Sequence, residues 1–379
     1  MKHSEYLGDV RNQYEKFPYP ECDPQDEKKR LYATHAEHLD MLNYHCFSGK
    51  KDFSKGFRVL IAGGGTGNTA ITMAEQLRNT DAEIIYLDIS QASMAIAQER
   101  ANIRGLANIT WRLDSIIDIP HLDLGKFDYI NCMGVLHHLA DPDEGLAALS
   151  SILKEDGSIG IMVYAKYGRT AIYQVQELMR FVNHDEKDMD AKVQNVKSVI
   201  RSLPKTHWYN FSSAAFEFEI NSGDAGIYDL FLHSQDRAYS VPELYEYVED
   251  AGLRISHFLS TGHSEGNRLY DPGSYITDSK LLAKIRCLDA RQQNSVAELL
   301  HGRMHTHTIY ASPKEHPVPS IDNLDLIPFL SINFPEDAHD MFYSIACRAV
   351  GAITMGPPNQ QVSFTKTRHT EQLIKHLDG

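Results

Sequence analysis

Arg58-Val59-Leu60-Ile61-Ala62-Gly63-Gly64-Gly65-Thr66-Gly67-Asn68-Thr69-Ala70 carries the reading of this chain, because an apolar run of strand length passes through clustered glycines straight into a helical pattern. A tight strand-to-helix turn needs positive φ and lets the backbone approach a ligand closely, which glycine permits without a Cβ clash. Asp88 ends the next apolar run, about twenty residues on, where a carboxylate accepts both hydroxyls of a ribose. The spacing predicts a nucleotide-like cofactor. Gly65 to Ala70 also satisfies the GxGxxA form of the dinucleotide fingerprint, so glycines alone leave nicotinamide and S-adenosylmethionine both open. Without a ligand, the same loop is a structural turn with a solvated Asp88.

Outward from this loop, apolar runs alternate with helical patterns: Arg58–Ala62, Thr69–Leu77, Glu83–Leu87, Ser93–Ile103, Ile109–Leu113, Phe127–Cys132, Glu144–Leu153 and Ser158–Tyr164. Continuous apolar runs suit parallel strands covered on both faces, and the β-α repeat predicts an α/β, doubly wound sheet over 56–165. Residues 1–55 form an arm, with a helix, an extended crossing at Phe17-Pro18-Tyr19-Pro20 and a second helix over roughly Lys28 to Phe47. Helices at Ala171–Val182 and Asp190–Leu203 mark an insert, 166–225. The remainder of the core, 226–312, carries helix Val241–Ala251, strands Arg254–Leu259 and His305–Ala311, and a helical stretch near Asp278–Leu300. A C-terminal extension, 313–379, holds a helix near Ala338–Ala352.

The chain has 379 residues and a net charge of −14, with no basic stripe, which argues against a nucleic-acid groove. No window carries the roughly 18 consecutive apolar residues of a membrane span, and the first residues have no apolar leader core, so a cytoplasmic location is expected. Five scattered cysteines, Cys22, Cys46, Cys132, Cys287 and Cys347, read as reduced thiols.

Asp114 follows the third strand, in position to accept from an adenine amino group. The fourth strand leads into Met133-Gly134-Val135-Leu136-His137-His138-Leu139-Ala140-Asp141-Pro142. With Tyr14-x-x-x-Pro18-Tyr19-Pro20 ahead of the core, this order resembles the class I S-adenosylmethionine-dependent methyltransferases, nearest a bacterial group with a YxxxPYP segment and a GVLHHLADP motif. The resemblance implies a Rossmann-like, seven-stranded mixed sheet and S-adenosylmethionine as cofactor, with S-adenosylhomocysteine as product. It places Gly63, Gly65, Thr66 and Gly67 at the methionine part, Asp88 and Ile89 at the ribose and Asp114 with Ser115 at the adenine. Asn131, Cys132 and Met133 would line the far wall. The acidic residue usual two positions before the first glycine is Ile61 here, and Tyr14 and Tyr19 are expected to supply that polar hold.

Methyl transfer is an in-line displacement that needs alignment and, for some acceptors, removal of a proton; no metal is required. His137, His138 and His233 are the candidate bases, because a histidine pKa lies near operating pH. Packing as wall residues is the plainer role for the first two. His233, Asp236 and Arg237 form a second group, with Arg237 suited to a substrate carboxylate. His305 and His307 share one strand face without an acidic partner nearby and are expected to be half exposed rather than metal ligands. The acceptor is expected to offer an O or N atom on a small molecule, peptide or protein, and a homodimer is compatible with the sequence. A nicotinamide-dependent oxidoreductase and a non-catalytic cofactor-binding partner protein are the competing readings.

Overall fold

The computed structural model describes residues 2–32, 35–259, 269–317, 319, 352–355 and 362–365. Five strands, β1 (Arg58–Ala62), β2 (Glu83–Asp88), β3 (Ile109–Leu113), β4 (Phe127–Met133) and β5 (Leu153–Ala165), run parallel. A two-residue strand, β6 (Ala238–Tyr239), adds to the end of β5, and β7 (Arg254–Leu259) and β8 (Thr306–Ser312) complete the sheet, with β8 antiparallel to both β5 and β7. The order is β3-β2-β1-β4-β5-β8-β7, so the expected doubly wound mixed sheet of seven main strands is present. Chain direction across the sheet reverses between β1 and β4. A crevice therefore opens at their carboxyl ends.

Helices cover both faces because the strands are apolar on both. One layer consists of α1 (Lys2–Lys16), α2 (Leu39–Cys46), α3 (Asn68–Gln76) and α4 (Gln91–Arg104), of which α2 to α4 pack on Val59, Ile61, Ile84, Tyr86 and Tyr129. The other includes α5 (Pro142–Ser151), on Leu60, Ile85, Ile130 and Ile161. Local chemistry sets the ends. Ser90 caps α4 through the Ser93 amide and Gly105 ends it at φ 65°, while Asp141 accepts from the Asp143 and Glu144 amides ahead of Pro142 in α5.

The insert folds as α6 (Thr170–Val182), α7 (Met189–Ser202), the short α8 (Trp208–Ser212) and α9 (Glu217–Asn221), and α10 (Gly223–Leu232). It has its own core around Ile172, Val175, Val193, Phe216 and Phe231. Helix α10 crosses the boundary read at 225. After α11 (Val241–Asp250), begun by a Ser240/Glu243 capping box, the helical stretch read near 278–300 consists of two helices, α12 (Ser279–Ile285) and α13 (Ala290–His301). Asp289 forms a second capping box with Gln292 and forces the break. The helix expected over 28–47 is likewise reduced to single 3-10 turns at Pro24–Lys28 and His35–Glu37 followed by α2, because His38 is extended and the Leu39 amide bonds the Gln76 side chain.

The helix expected near 338–352 lies outside the described residues, except Ala352, which begins β9 (Ala352–Met355), paired with β10 (Val362–Thr365). Cys347 also lies outside them, and Cys22, Cys46, Cys132 and Cys287 are free thiols. Among the described residues no helix is long and apolar enough to cross a membrane.

The arm is locked to the core by a buried ion pair. Arg100 of α4 is 3% exposed, donates to Glu27 from Nε at 2.8 Å, and from Nη1 donates to the Thr66 carbonyl and the Asn68 side chain, both at 2.8 Å. Arg104 also bonds Glu27. Breaking a buried pair leaves an uncompensated charge. Glu27→Gln is expected to destabilise the fold by about 3 kcal/mol in urea unfolding, whereas Glu246→Gln, in an exposed pair with Arg291, is expected to leave the midpoint near that of wild type.

Candidate functional site

The glycine loop has the conformation its sequence requires, with φ of 77° at Gly63, 51° at Gly65 and 99° at Gly67. A Cβ on Gly63 would stand 2.3 Å from a Val135 methyl, so the turns after β1 and β4 approach across the crevice only because the side chain is absent. Asp88 closes the loop from the end of β2. Its carboxylate accepts from the Gly65 and Ser90 amides, each at 2.8 Å, which leaves acceptor capacity for hydroxyls. Burial pushes its pKa up while these amides pull it down.

The arm forms a roof. The Tyr19 carbonyl accepts from the Thr66 amide at 3.3 Å, and the Pro20 carbonyl from the Thr66 hydroxyl at 2.8 Å. The Tyr14 carbonyl accepts from Ser90 at 3.1 Å, and the Glu15 carboxylate caps α4 through the Gln91 and Ala92 amides. Along the same edge the Asp114 amide donates to the Asp88 carbonyl at 3.1 Å, with the Asp114 carboxylate on Arg112 at 3.0 Å. Ser115 is buried and caps the turn Ile116–His121. Gly63, Gly65, Thr66, Gly67, Asp88, Ile89, Asp114 and Ser115 are thus gathered along the ends of β1, β2 and β3.

The far wall differs from expectation. Cys132 is fully buried in the core, and Asn131 turns into the sheet's other layer, donating to Glu37 at 3.1 Å. Of that trio, Met133 alone is partly exposed. Glu37, which sequence reading passed over, is 2% exposed; its Oε1 also accepts from Thr69 at 3.3 Å, and its Oε2 is buried without a partner. Burial raises its pKa from the usual 4.5 to about 7.

Across the crevice the arm meets the insert at Asp229, 4% exposed. Its Oδ1 accepts from the Tyr14 hydroxyl at 3.0 Å and Gln13 at 3.4 Å, and Oδ2 from the Tyr164 hydroxyl at 3.5 Å. Tyr14 is thereby committed to Asp229 by its ring and to Ser90 by its backbone, and burial raises both the Tyr14 and Asp229 pKa values. Tyr19 contacts the loop by its carbonyl. Arg169, buried, lies with its guanidinium 3.4 Å from the Tyr164 ring centre and 3.8 Å from Asp236.

His137 and His138 come together here with His233, which the sequence had set in a separate group, and burial lowers the basicity of all three. His138 and His233 fall to about 3 and His137 well below its usual value, chiefly by desolvation, so all three are neutral near pH 7. Ligand atoms of His138, Asp229 and His233 lie within 4.8 Å of one another. The two rings, however, stack at 3.8 Å and 23°. A metal must lie near the plane of each imidazole it binds, and planes so inclined meet beyond coordination reach. Arg237 instead faces Asp143 at 3.7 Å. His307 is also corrected: it is fully buried, 3.2 Å from Glu298 and 2.7 Å from the Tyr270 hydroxyl, so it has an acidic partner and a structural place.

Comparison with known proteins agrees with the fold. Residues 60–159 match the family model described as a methyltransferase domain. An uncharacterized protein of Synechococcus sp. is 34% identical over 245 residues, 64% of this chain and 57% of that protein. A ubiquinone biosynthesis O-methyltransferase of Acinetobacter baylyi is 23% identical over 54% of this chain and 75% of its own. PKMT2 from Rickettsia typhi, solved in complex with AdoHcy, shares the fold with a TM-score of 0.61 at 16% identity, over 89% of this chain and 64% of that one. The chain thus spans less than two thirds of the length of the first of these relatives and of the solved structure.

Glu37 provides a pH signature. Its folded pKa of about 7 exceeds the usual 4.5, so between these values the folded state binds more protons than the unfolded one, and stability falls as pH rises through that window. The melting temperature of wild type relative to Glu37→Gln is expected to decline from pH 4.5 to 7 in calorimetry.

Proposed function

We propose that this protein is an S-adenosylmethionine-dependent methyltransferase that delivers a methyl group to an O or N atom of an acceptor held between the arm and the insert. The observation that carries the reading is the positive-φ glycine loop bonded to the Asp88 carboxylate at the carboxyl ends of β1 and β2. When bound, the cofactor supplies an electrophilic sulfonium methyl. Asp88 has acceptor capacity for the ribose, Asp114 stands beside it at the adenine edge, and the orphan Glu37 oxygen is a polar position without a protein donor. These residues fit the group.

The acceptor side is the enclosure of Tyr14, Tyr164, Asp229 and the stacked histidines. Two carboxylates with buried side chains, Asp229 and Asp236, face one buried cation, Arg169, while the histidines are neutral. Such a balance disfavours an anionic acceptor and suits a neutral or cationic one. Asp229, raised by burial and bonded to Tyr14, is the residue suited to take a proton, and the histidines shape the wall.

Asp88→Ala is expected to abolish S-adenosylhomocysteine binding in calorimetry, and a variant that binds like wild type removes Asp88 from the site. Asp229→Asn keeps the shape but cannot accept a proton, and is expected to lower kcat by roughly 10²-fold with KM for the cofactor little changed. Incubation with methyl-labelled cofactor and fractionated cell extract is expected to label a small molecule, peptide or protein; tight NAD binding with no S-adenosylhomocysteine binding would overturn the reading.

A further inference from the structure

We propose that Glu37 receives the α-ammonium at the amino-acid end of the cofactor, an assignment that rests on the methyl-transfer reading above. The carboxylate comes from the arm. It lies between Thr69 in the first turn of α3 and Asn131 near the end of β4, both of which donate to Oε1. Asn131 is the register partner of Ile61 on β1. Glu37 therefore stands at the β1/β4 switch point, where the crevice opens and where the strand itself offers only an isoleucine.

Charge and hydrogen bonding define what belongs there. Glu37 is 2% exposed, the two side chains that donate to it are neutral, and among the described residues its buried Oε2 has no hydrogen-bond partner. An ionised carboxylate so placed is costly until a cation reaches it. Buried carboxylate oxygens are ordinarily paired, so one left without a donor calls for a partner. Direction along the sheet selects the end of the ligand. The ribose and adenine positions, Asp88 and Asp114, follow β2 and β3 on one side of β1, so the opposite end of an adenosyl amino acid extends toward β4, where an ammonium brings three donors to the unpartnered oxygen.

The test compares two probes by titration calorimetry on the full chain. S-adenosylhomocysteine carries the ammonium, and 5′-methylthioadenosine has the same adenosine and thioether but no amino-acid end. Glu37→Gln retains the shape and removes the charge. It is expected to weaken S-adenosylhomocysteine binding roughly ten- to hundred-fold, the worth of a hydrogen bond to a charged group, and to leave methylthioadenosine binding unchanged, which also reports that the variant is folded. Equal weakening of both probes, or of neither, overturns the assignment while leaving the methyltransferase reading intact. Failure of the wild-type protein to bind S-adenosylhomocysteine refutes that reading, and this assignment falls with it.

Discussion

The absence of a side chain at Gly65 is the constraint on which the site depends. The Tyr19 carbonyl rests against this position and would stand 2.7 Å from a Cβ there, so the arm seals the loop only over glycine. The Gly65 amide in turn binds Asp88, and its carbonyl accepts from the Tyr86 hydroxyl at 2.6 Å. One residue thus joins three elements: the arm above, the end of β2 beside it, and a core tyrosine below. Glu27 and Arg100 hold the arm in that place from outside, through a bond that also reaches the Thr66 carbonyl.

This arrangement explains why the crevice is polar yet closed. The arm brings Glu37 beneath the loop and Tyr14 above it, and the insert brings Asp229 and Arg169 from the other side. Glu37, Asp229 and Arg169 are buried and Tyr14 partly so, and each has a partner in another segment of the chain: Glu37 with Asn131, Tyr14 with Asp229, Arg169 with Tyr164. Polar groups taken out of water in this way specify a single docking of arm and insert, because any slip leaves several unsatisfied at once.

Much of the catalytic core was legible in the sequence. Strand β1 and the strand over 109–113 have the bounds read from their apolar runs, and glycine, aspartate and proline placed the turns, because these signals are local. The candidate residues along the first three strands follow from a spacing that chain geometry alone converts into proximity. Cys132 was placed on the wrong side: it belongs to the strand that was read, but the sequence does not reveal which of its residues point into the core. Asp229 lies four residues before His233, outside the group His233, Asp236 and Arg237 that the sequence suggested, and it meets Tyr14 only through the fold.

What the sequence determined by itself was the β-α alternation, the glycine turn and the acid that answers it about twenty residues later, all effects of backbone conformation over one strand-loop-helix unit. The tertiary structure decided protonation and partnership. His137, His138 and His233 keep their identity in any context, but only folding buries them and lowers their pKa values, and only folding brings Glu37, 94 residues away in sequence, to Asn131. Desolvation and long-range pairing depend on what surrounds a side chain in space, which no local pattern encodes.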